Sequence, residues 1–194
     1  MPEPHLNRVA RDDMPEHLRA LWDMGMDRTG EADIIEVMAN HAPMLDWYFN
    51  GFYKQIFYNE NPAMKVDVRS KEILRLKLSK QHGCQFCNRA NAVDAIAAGV
   101  TQAQIDNMRN PTSAHFDEKD LALIELADNF TLQNMNGNLS KDLYDRLHKY
   151  YDDAQLIEIG FVCAMLTGVA KFIFMYDLVT KEEVCPIVPL QEAS

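Results

Sequence analysis

Residues that favour the starts and ends of helices recur along the whole chain, and the apolar residues between them follow helical rather than strand spacing. Asp67 and Gly83 bracket one such segment, because aspartate favours the N-cap of a helix and glycine its left-handed end. Thr101 and Gln104 form a capping box before another. Runs of β-branched residues with two-residue alternation are almost absent. The sequence therefore predicts an all-α fold of about eight or nine helices.

The predicted helices follow one another without a dividing linker. They cover approximately 15–26, a short segment from Asp33, 43–58, 67–81, 84–98, 101–110, 117–134, 140–150 and 153–180. We expect a single domain over 1–194, with a helical extension in 1–30 and an irregular tail over 181–194. The helices containing Glu72 and Glu158 share an apolar pattern, which leaves an internal duplication open.

Seven aromatic residues crowd the predicted helix over 43–58. On an α-helix they surround the axis instead of forming one stripe, which indicates burial on more than one side. Core packing and a subunit interface both explain the pattern. The residues are Trp47, Tyr48, Phe49, Phe52, Tyr53, Phe57 and Tyr58.

Charge and hydropathy limit the classes of partner. The formal net charge is −10 and no basic stripe offsets it, which argues against nucleic acid. The N-terminus lacks the apolar core of a signal peptide. The longest apolar stretch, 157–176, is interrupted by Glu158 and Lys171, so we interpret it as a core helix rather than a membrane span. We therefore expect a cytoplasmic protein without a membrane partner.

Four cysteines occur, and two of them form a C-x-x-C at Cys84 and Cys87. Cys163 and Cys185 stand alone, so the pattern is not the disulfide framework of a small secreted fold. Three interpretations of the pair remain: a redox couple, half of a zinc site, and two unrelated buried thiols. Zinc needs further ligands, and no second C-x-x-C or paired histidine follows.

The position of Cys84 at the start of a predicted helix favours redox chemistry. The unpaired amides and positive dipole end of a helix stabilise a thiolate. Cys87 lies three residues further, where ideal helical side chains are about 5–6 Å apart at the β-carbons. A disulfide needs about 3.8 Å. A modest distortion of the first turn would therefore allow reversible oxidation.

Two further side chains lie near the pair in sequence. Glu72 is on the helix that leads into the motif, where partial burial would raise its pKa and let it pass protons. An ion pair with Arg69 or Arg75 is the alternative. His82 lies two residues before Cys84 and is either a solvated helix-end residue or an activator of the thiols.

A resemblance extends beyond this motif. Glu72, the C-x-x-C twelve residues later and a polar residue four positions after Cys87 resemble the signature of the alkyl hydroperoxidase D and carboxymuconolactone decarboxylase superfamily. The stretches VMANHAPMLDWYFNGFYKQIF (37–57) and AGVTQAQIDNM (98–108), together with the last helices, are similar to the family's helices. The similarity spans roughly 34–178.

The resemblance implies an all-α fold that assembles as a homo-oligomer, such as a dimer, trimer or hexamer. It also implies reduction of a small hydroperoxide by thiols, without haem, flavin or metal, and regeneration by a dithiol reductant. Cys87 would become the sulfenic acid, Cys84 would resolve it as a disulfide and donate a proton, and Glu72 would belong to the proton relay. The decarboxylase branch generally lacks the thiol pair.

One position departs from the family pattern. Asn91 stands where the relay histidine is expected, and an amide can hydrogen-bond a thiolate but cannot take up its proton. Activation would then rest on the helix terminus, on Glu72 through water, or on His82. The main alternative to a peroxidase is a redox-sensing or ligand-binding oligomer. A decarboxylase-type lyase is a third hypothesis, which gains nothing from the thiols.

Overall fold

The computed structural model describes residues 2–182. Within them the chain forms nine α-helices and no strand, and one isolated antiparallel bridge joins Cys84 to Lys181. The predicted all-α fold is confirmed. The helices are α1 (Glu16–Thr29), α2 (Asp33–Met38), α3 (Ala42–Asp46), α4 (Val68–His82), α5 (Gln85–Ala97), α6 (Gln102–Asn107), α7 (Glu118–Phe130), α8 (Lys141–Leu147) and α9 (Asp153–Met175).

Helix α4 lies at the centre and packs against α5, α7 and α9. Its apolar residues Ile73, Leu74 and Leu76 are fully buried in the largest core cluster. Its ends follow the predicted caps. The Asp67 carboxylate accepts a hydrogen bond from the Ser70 N–H at 2.9 Å, and Gly83 adopts φ 68°, a left-handed conformation that glycine reaches without a steric penalty.

Several helices end earlier than predicted. Helix α7 stops at Phe130 rather than near Asn134, because Thr131 turns to an extended conformation and the next amide, of Leu132, donates to His82. Helix α9 stops at Met175 rather than near Thr180. At the end of α9 the Leu178 amide bonds back to the Ile173 carbonyl and Asp177 adopts a left-handed conformation (φ 53°), which turns the chain away from the helix axis.

Residues 178–182 cross the start of α5, and we call them the strap. The Thr180 carbonyl accepts hydrogen bonds from the Gln85 and Phe86 amides at 3.0 and 3.4 Å, and the Glu182 amide donates to the Gly83 carbonyl at 2.9 Å. The predicted irregular tail thus begins with an extended segment packed on the helix terminus. Its remainder, including Cys185, lies outside the described residues.

Helix α3 continues into a π-helix over Trp47–Phe57, which holds the crowded aromatic residues. The backbone hydrogen bonds of a π-helix join residues five apart rather than four apart. Tyr48, Tyr53 and Tyr58 therefore follow one another along one face, with successive ring centroids 5.2 and 6.1 Å apart. The expectation that these aromatics surround the helix was wrong, because it assumed α-helical winding.

Helix α9 contradicts its interpretation as a fully buried core helix. Ile159, Val162 and Cys163 are buried, but Ile157 is 74% exposed and Met175 is 75% exposed. By length and composition alone α9 is apolar enough to cross a membrane, and only 22% of its most apolar window is buried. The core interpretation therefore holds for one face of α9 only.

Candidate redox site

Cys84 and Cys87 are joined by a disulfide, with an S–S distance of 2.03 Å and Cα atoms 5.2 Å apart. The sequence predicted Cys84 as the first residue of the helix. Cys84 instead occupies the N-cap of α5, in an extended conformation (φ −84°, ψ 101°). This backbone geometry aims Sγ of Cys84 at the first turn, where it accepts the Cys87 N–H at 3.1 Å. The predicted distortion of the first turn is therefore a displacement of its cap residue.

We expected the backbone amides at the start of α5 to be unpaired, but they have hydrogen-bond partners. The strap satisfies two of them through the Thr180 carbonyl, and the Cys87 amide is directed at the Cys84 sulfur. Cys84 is completely buried, whereas Cys87 is partly exposed. One sulfur is therefore held by backbone amide and strap, and the other is open to an incoming molecule.

A narrow cavity of about 90 Å³ lies beside the two cysteines, and we call it the disulfide cavity. It is large enough for a few waters or a peroxide group. Its walls come from α2, the π-helix, α4, α5 and α9. They comprise Ile34, Tyr48, Tyr53, Arg75, Leu78, Ser79, His82, Cys84, Phe86, Cys87, Asn91, Leu166, Val169, Ala170 and Ile173.

His82 lies on the wall of the disulfide cavity and is 1% exposed, so it is not a solvated helix-end residue. Its Nε2 accepts the Leu132 N–H at 3.1 Å. Burial lowers the pKa of His82 to about 4, so the ring is neutral near pH 7. With Nε2 accepting, the proton of the neutral ring resides on Nδ1. Because Nε2 already accepts the Leu132 amide, His82 is not placed to act as a general base through that nitrogen.

Asn91 lies one turn beyond Cys87 on α5 and also lines the disulfide cavity. It is 7% exposed, and its side-chain amide makes no hydrogen bond to any residue in 2–182. Within residues 2–182 the only fully buried side-chain polar atom without a partner is Oδ1 of Asn88, so the Asn91 amide retains contact with open space. Asn91 can therefore hydrogen-bond to water or to a bound molecule in the cavity.

Glu72 is completely buried and forms a two-point ion pair with Arg75, with N–O distances of 2.9 and 2.7 Å. The alternative role of Glu72 as an ion-pair partner is therefore found with Arg75, whereas Arg69 pairs with Asp120. Burial raises the pKa of Glu72 to about 7, against the opposing effect of Arg75. Glu72 does not line the disulfide cavity, so its predicted relay role would have to act through Arg75.

Arg75 is the site residue that the sequence did not identify, beyond its helical spacing from Glu72. Its Nη2 also reaches Asp94 and the Tyr58 hydroxyl, at 3.2 and 3.3 Å. Its guanidinium carbon lies 4.8 Å from the centroid of the Phe57 ring. Arg75 therefore brings a fixed positive charge to the wall of the disulfide cavity.

A second, larger cavity of about 390 Å³ opens beside the first, and we call it the side cavity. It lies between α1, α2, the π-helix and α5, and the face of the π-helix that carries Tyr48, Tyr53 and Tyr58 forms one of its walls. The other lining residues are Leu21, Met24, Gly25, Arg28, Thr29, Ile34, Ile35, Phe49, Lys54, Arg75, Phe86, Ala90, Asn91 and Asp94.

Glu158 and Cys163 also carry functional groups, and both serve the packing of the fold. Glu158 pairs with the buried Lys71, which also donates to the Ile56 carbonyl at 2.6 Å. Cys163 is completely buried on α9, and burial raises the pKa of its thiol to about 12. Cys163 is therefore an unreactive core thiol at neutral pH.

Sequence comparison identifies the family of the central region. Residues 43–129 match the model of the carboxymuconolactone decarboxylase family. The uncharacterised protein YdfG of Bacillus subtilis strain 168 is 25% identical over 95 residues. That match covers 48% of this chain and 64% of YdfG, which is less than two thirds of the relative's length.

Solved structures share the fold over almost the whole chain. A peroxidase-related protein with an alkyl hydroperoxidase D core, from Ralstonia eutropha JMP134, superposes with a TM-score of 0.70 at 13% identity, over 98% of this chain and 100% of its own. The debrominase Bmp8 superposes with a TM-score of 0.69 at 20% identity, over 95% of both chains. A cysteine-to-alanine variant of Bmp8 in complex with 2,3,4-tribromopyrrole gives the same TM-score over 93% of both chains.

At these identities the superpositions show a shared fold only. The evidence from sequence is the match of residues 43–129 to the family model. The family match, the shared helical fold and the C-x-x-C motif beside its cavity agree with one another. Residues 43–129 are thus similar in sequence to the carboxymuconolactone decarboxylase family, and the chain has the helical fold of an alkyl hydroperoxidase D core.

Proposed function

We propose that this protein is a thiol-dependent peroxidase that reduces hydroperoxides through the Cys84–Cys87 couple. The observation that carries the proposal is a disulfide whose two cysteines line a cavity large enough for a peroxide group. The partial exposure of Cys87 and the burial of Cys84 support Cys87 as the sulfur that meets the peroxide. A small hydroperoxide and a dithiol reductant are the proposed partners.

The reaction begins with both cysteines reduced. The Cys87 thiolate attacks the terminal oxygen of the hydroperoxide, so an S–O bond forms, the O–O bond breaks, and the departing alkoxide takes a proton to leave as alcohol. The Cys84 sulfur then displaces hydroxide from the sulfenic acid, and the hydroxide leaves as water after protonation. Two exchange steps with a dithiol reduce the disulfide and regenerate both thiols.

The side chains around the cavity support this chemistry without a relay histidine. The positive charge of Arg75 stabilises both a thiolate and the departing oxyanion. Asn91 can donate a hydrogen bond from the same wall. In the reduced protein the Cys87 amide is placed to stabilise a thiolate at Cys84.

Peroxide consumption with dithiothreitol as the reductant tests the proposal. Cys84→Ser and Cys87→Ser should each abolish turnover, and Cys163→Ser should retain it. With dithiothreitol removed after reduction, Cys84→Ser should still consume one equivalent of peroxide and form a sulfenic acid at Cys87, detected by mass spectrometry. Normal turnover in the Cys84→Ser/Cys87→Ser double variant would refute the proposal.

A redox switch is the second candidate, and the strap favours it. The strap hydrogen-bonds to the helix end that carries the disulfide, so reduction could change how residues 178–182 are held. A protein of this kind would form the disulfide slowly, without multiple turnovers. Proteolysis or hydrogen exchange of the strap in the oxidised and reduced proteins distinguishes the two functions, because a peroxidase does not require a difference.

Thiol-driven reductive debromination is a third candidate, because the debrominase Bmp8 shares the fold and an aromatic cavity lies beside this disulfide. Two thiols would give two electrons to an aryl bromide, yielding the C–H product, hydrobromic acid and the disulfide. Bromide release from 2,3,4-tribromopyrrole, measured beside the peroxide assay, tests it. A lyase of the decarboxylase type draws no support from the thiol pair.

A further inference from the structure

The side cavity adjoins the disulfide cavity. The two share six lining residues: Ile34, Tyr48, Tyr53, Arg75, Phe86 and Asn91. A molecule seated in the side cavity would therefore contact residues that also line the disulfide cavity. The disulfide cavity, at about 90 Å³, holds little more than the reacting group.

The side cavity is built for a compact apolar body. Its volume of about 390 Å³ falls within the range of roughly 300–1,000 Å³ that small-molecule sites occupy. Leu21, Ile35, Phe49 and Phe86 line it, and the tyrosine rings of the π-helix form one of its walls. Aromatic walls of this kind bury an aromatic or branched alkyl group well.

The charged lining has the opposite sign to the chain as a whole. The formal net charge of the chain is −10, yet the side cavity is lined by three cations, Arg28, Lys54 and Arg75, against one carboxylate, Asp94. Arg28 and Arg75 share that carboxylate, at 2.8 and 3.2 Å. Lys54 lies exposed and makes no ion pair with a residue in 2–182. Even with Glu72 ionised behind Arg75, cations outnumber anions here.

Two buried polar groups face the cavities without a protein partner. The Asn91 amide is more than nine-tenths buried and makes no hydrogen bond within the described chain. Arg75 is 6% exposed, and its Nε and Nη2 are used by Glu72, Asp94 and Tyr58. Its Nη1 makes no hydrogen bond to a residue in 2–182. Nη1 of Arg75 is a donor only, and the Asn91 amide offers N–H donors beside its carbonyl acceptor, so together they can bind an acceptor such as an oxyanion.

We propose that the side cavity binds an organic anion with a compact apolar body, in which Arg75, Lys54 and Asn91 receive the acidic group. If the protein is the proposed peroxidase, its substrate would be the hydroperoxide of an aromatic or branched organic acid, and this part of the proposal rests on that function. The proposal that the cavity binds an organic anion does not depend on it. The apolar body fills the space between Leu21, Phe49 and Phe86.

Binding to the oxidised native protein tests the site without turnover. We would titrate 4-isopropylbenzoate and its neutral isostere 4-isopropylbenzamide by calorimetry at one pH and ionic strength. A charge-assisted hydrogen bond contributes about 1.5–3 kcal/mol, so the benzoate should bind at least about tenfold more tightly. Equal affinities, or no binding of the benzoate, would overturn the proposal.

Filling the cavity locates the bound anion. Ala90 lines the side cavity but not the disulfide cavity, so Ala90→Phe should weaken benzoate binding at least about tenfold. Ala97→Phe is the matched control, because it makes the same change on an exposed face of α5 and should leave binding unaltered. Unchanged affinity in Ala90→Phe, with the fold intact by circular dichroism, would place the anion elsewhere and overturn the assignment.

Charge reversal at the cavity mouth tests recognition of the acidic group. Lys54→Glu should weaken benzoate binding several-fold and leave benzamide binding unchanged. Lys149→Glu makes the same change in net charge at an exposed position outside the cavity and should affect neither ligand. If both variants lost the same amount of benzoate affinity, the change in net charge alone would explain the loss, and the proposed contact with Lys54 would be contradicted.

The outcomes separate this inference from the peroxidase proposal. If the native protein binds 4-isopropylbenzoate but reduces no hydroperoxide, the peroxidase proposal fails and the anion site stands. If it reduces hydrogen peroxide but binds no benzoate, the anion site fails and the peroxidase stands. If both hold, a cumene hydroperoxide that carries a para-carboxylate should show a higher kcat/KM than cumene hydroperoxide, and Ala90→Phe should lower that ratio.

Discussion

Helix α4 is rich in charged residues and almost completely buried, whereas α9 is nearly all apolar and exposes much of its surface. Lys71, Glu72, Arg75 and Lys77 of α4 are all less than 10% exposed, while Ile157, Phe161 and Met175 of α9 are more than half exposed. The difference shows that hydropathy alone does not assign burial in this fold. The charged residues of α4 are buried because each is paired, and the apolar residues of α9 lack a covering surface within the chain.

Breaking one pair on α4 should have the largest effect on stability. Arg75→Leu leaves the Glu72 and Asp94 carboxylates without a buried cation, so we expect the free energy of unfolding to fall by about 3–5 kcal/mol. Urea denaturation measures it. Arg28→Leu is the control, because Arg28 also pairs with Asp94 but its side chain is 35% exposed, and its loss should be about 1 kcal/mol or less. Similar losses in the two variants would contradict the role given to burial.

The pH dependence of stability should show the burial of Glu72 on α4. Because the pKa of Glu72 is raised from 4.5 to about 7 on folding, the native state binds the proton more tightly than the unfolded state. Its contribution is therefore fully present below pH 4.5 and is lost as the pH rises through about 7, with a total of at most about 3 kcal/mol.

Glu72→Gln should flatten this part of the stability profile, measured by urea denaturation at a series of pH values between 4.5 and 7. Glu16→Gln at an exposed position should keep the native profile. A slope that survives in Glu72→Gln would show that another group takes up the proton.

A substitution on the exposed face of α9 should change the stability of the monomer least and the assembly of the protein most. Phe161→Glu alters an exposed position, so the monomer should lose about 0.5 kcal/mol or less. We propose that the homo-oligomer implied by the family resemblance uses the exposed face of α9 as a contact surface, and Phe161→Glu should then dissociate it in sedimentation velocity. Ile159→Glu, two residues away and fully buried, should instead prevent folding. A native protein that sediments as a monomer would contradict the proposed assembly.

Local signals predicted the helices well because caps depend on short-range chemistry. The Asp67 cap, the left-handed Gly83 and the capping box of Thr101 and Gln104 are all found where the sequence places them. The sequence also predicted the disulfide partners, since three residues of spacing bring Cys84 and Cys87 within reach. These features need no knowledge of distant residues.

Non-local contacts account for what the sequence did not reveal. The strap joins Thr180 to the start of α5, across nearly a hundred residues, and no local pattern predicts it. Arg75 reached the site through Asp94 and the π-helix, which the spacing from Glu72 alone does not indicate. His82 was misjudged as a possible solvated residue because its partner, the Leu132 amide, lies fifty residues away. The assignment of roles to these side chains stays a prediction until the variants are measured.

The π-helix makes the cavity wall depend on the number of residues as much as on their identity. Tyr48, Tyr53 and Tyr58 share a face only because five residues separate them and the backbone winds accordingly. Deleting one residue between Tyr48 and Tyr53 would leave every tyrosine in the sequence but, while the π-winding is kept, would rotate the later two around the axis by the turn of one residue. A one-residue difference in length within this segment would therefore change the shape of the side cavity more than many substitutions would.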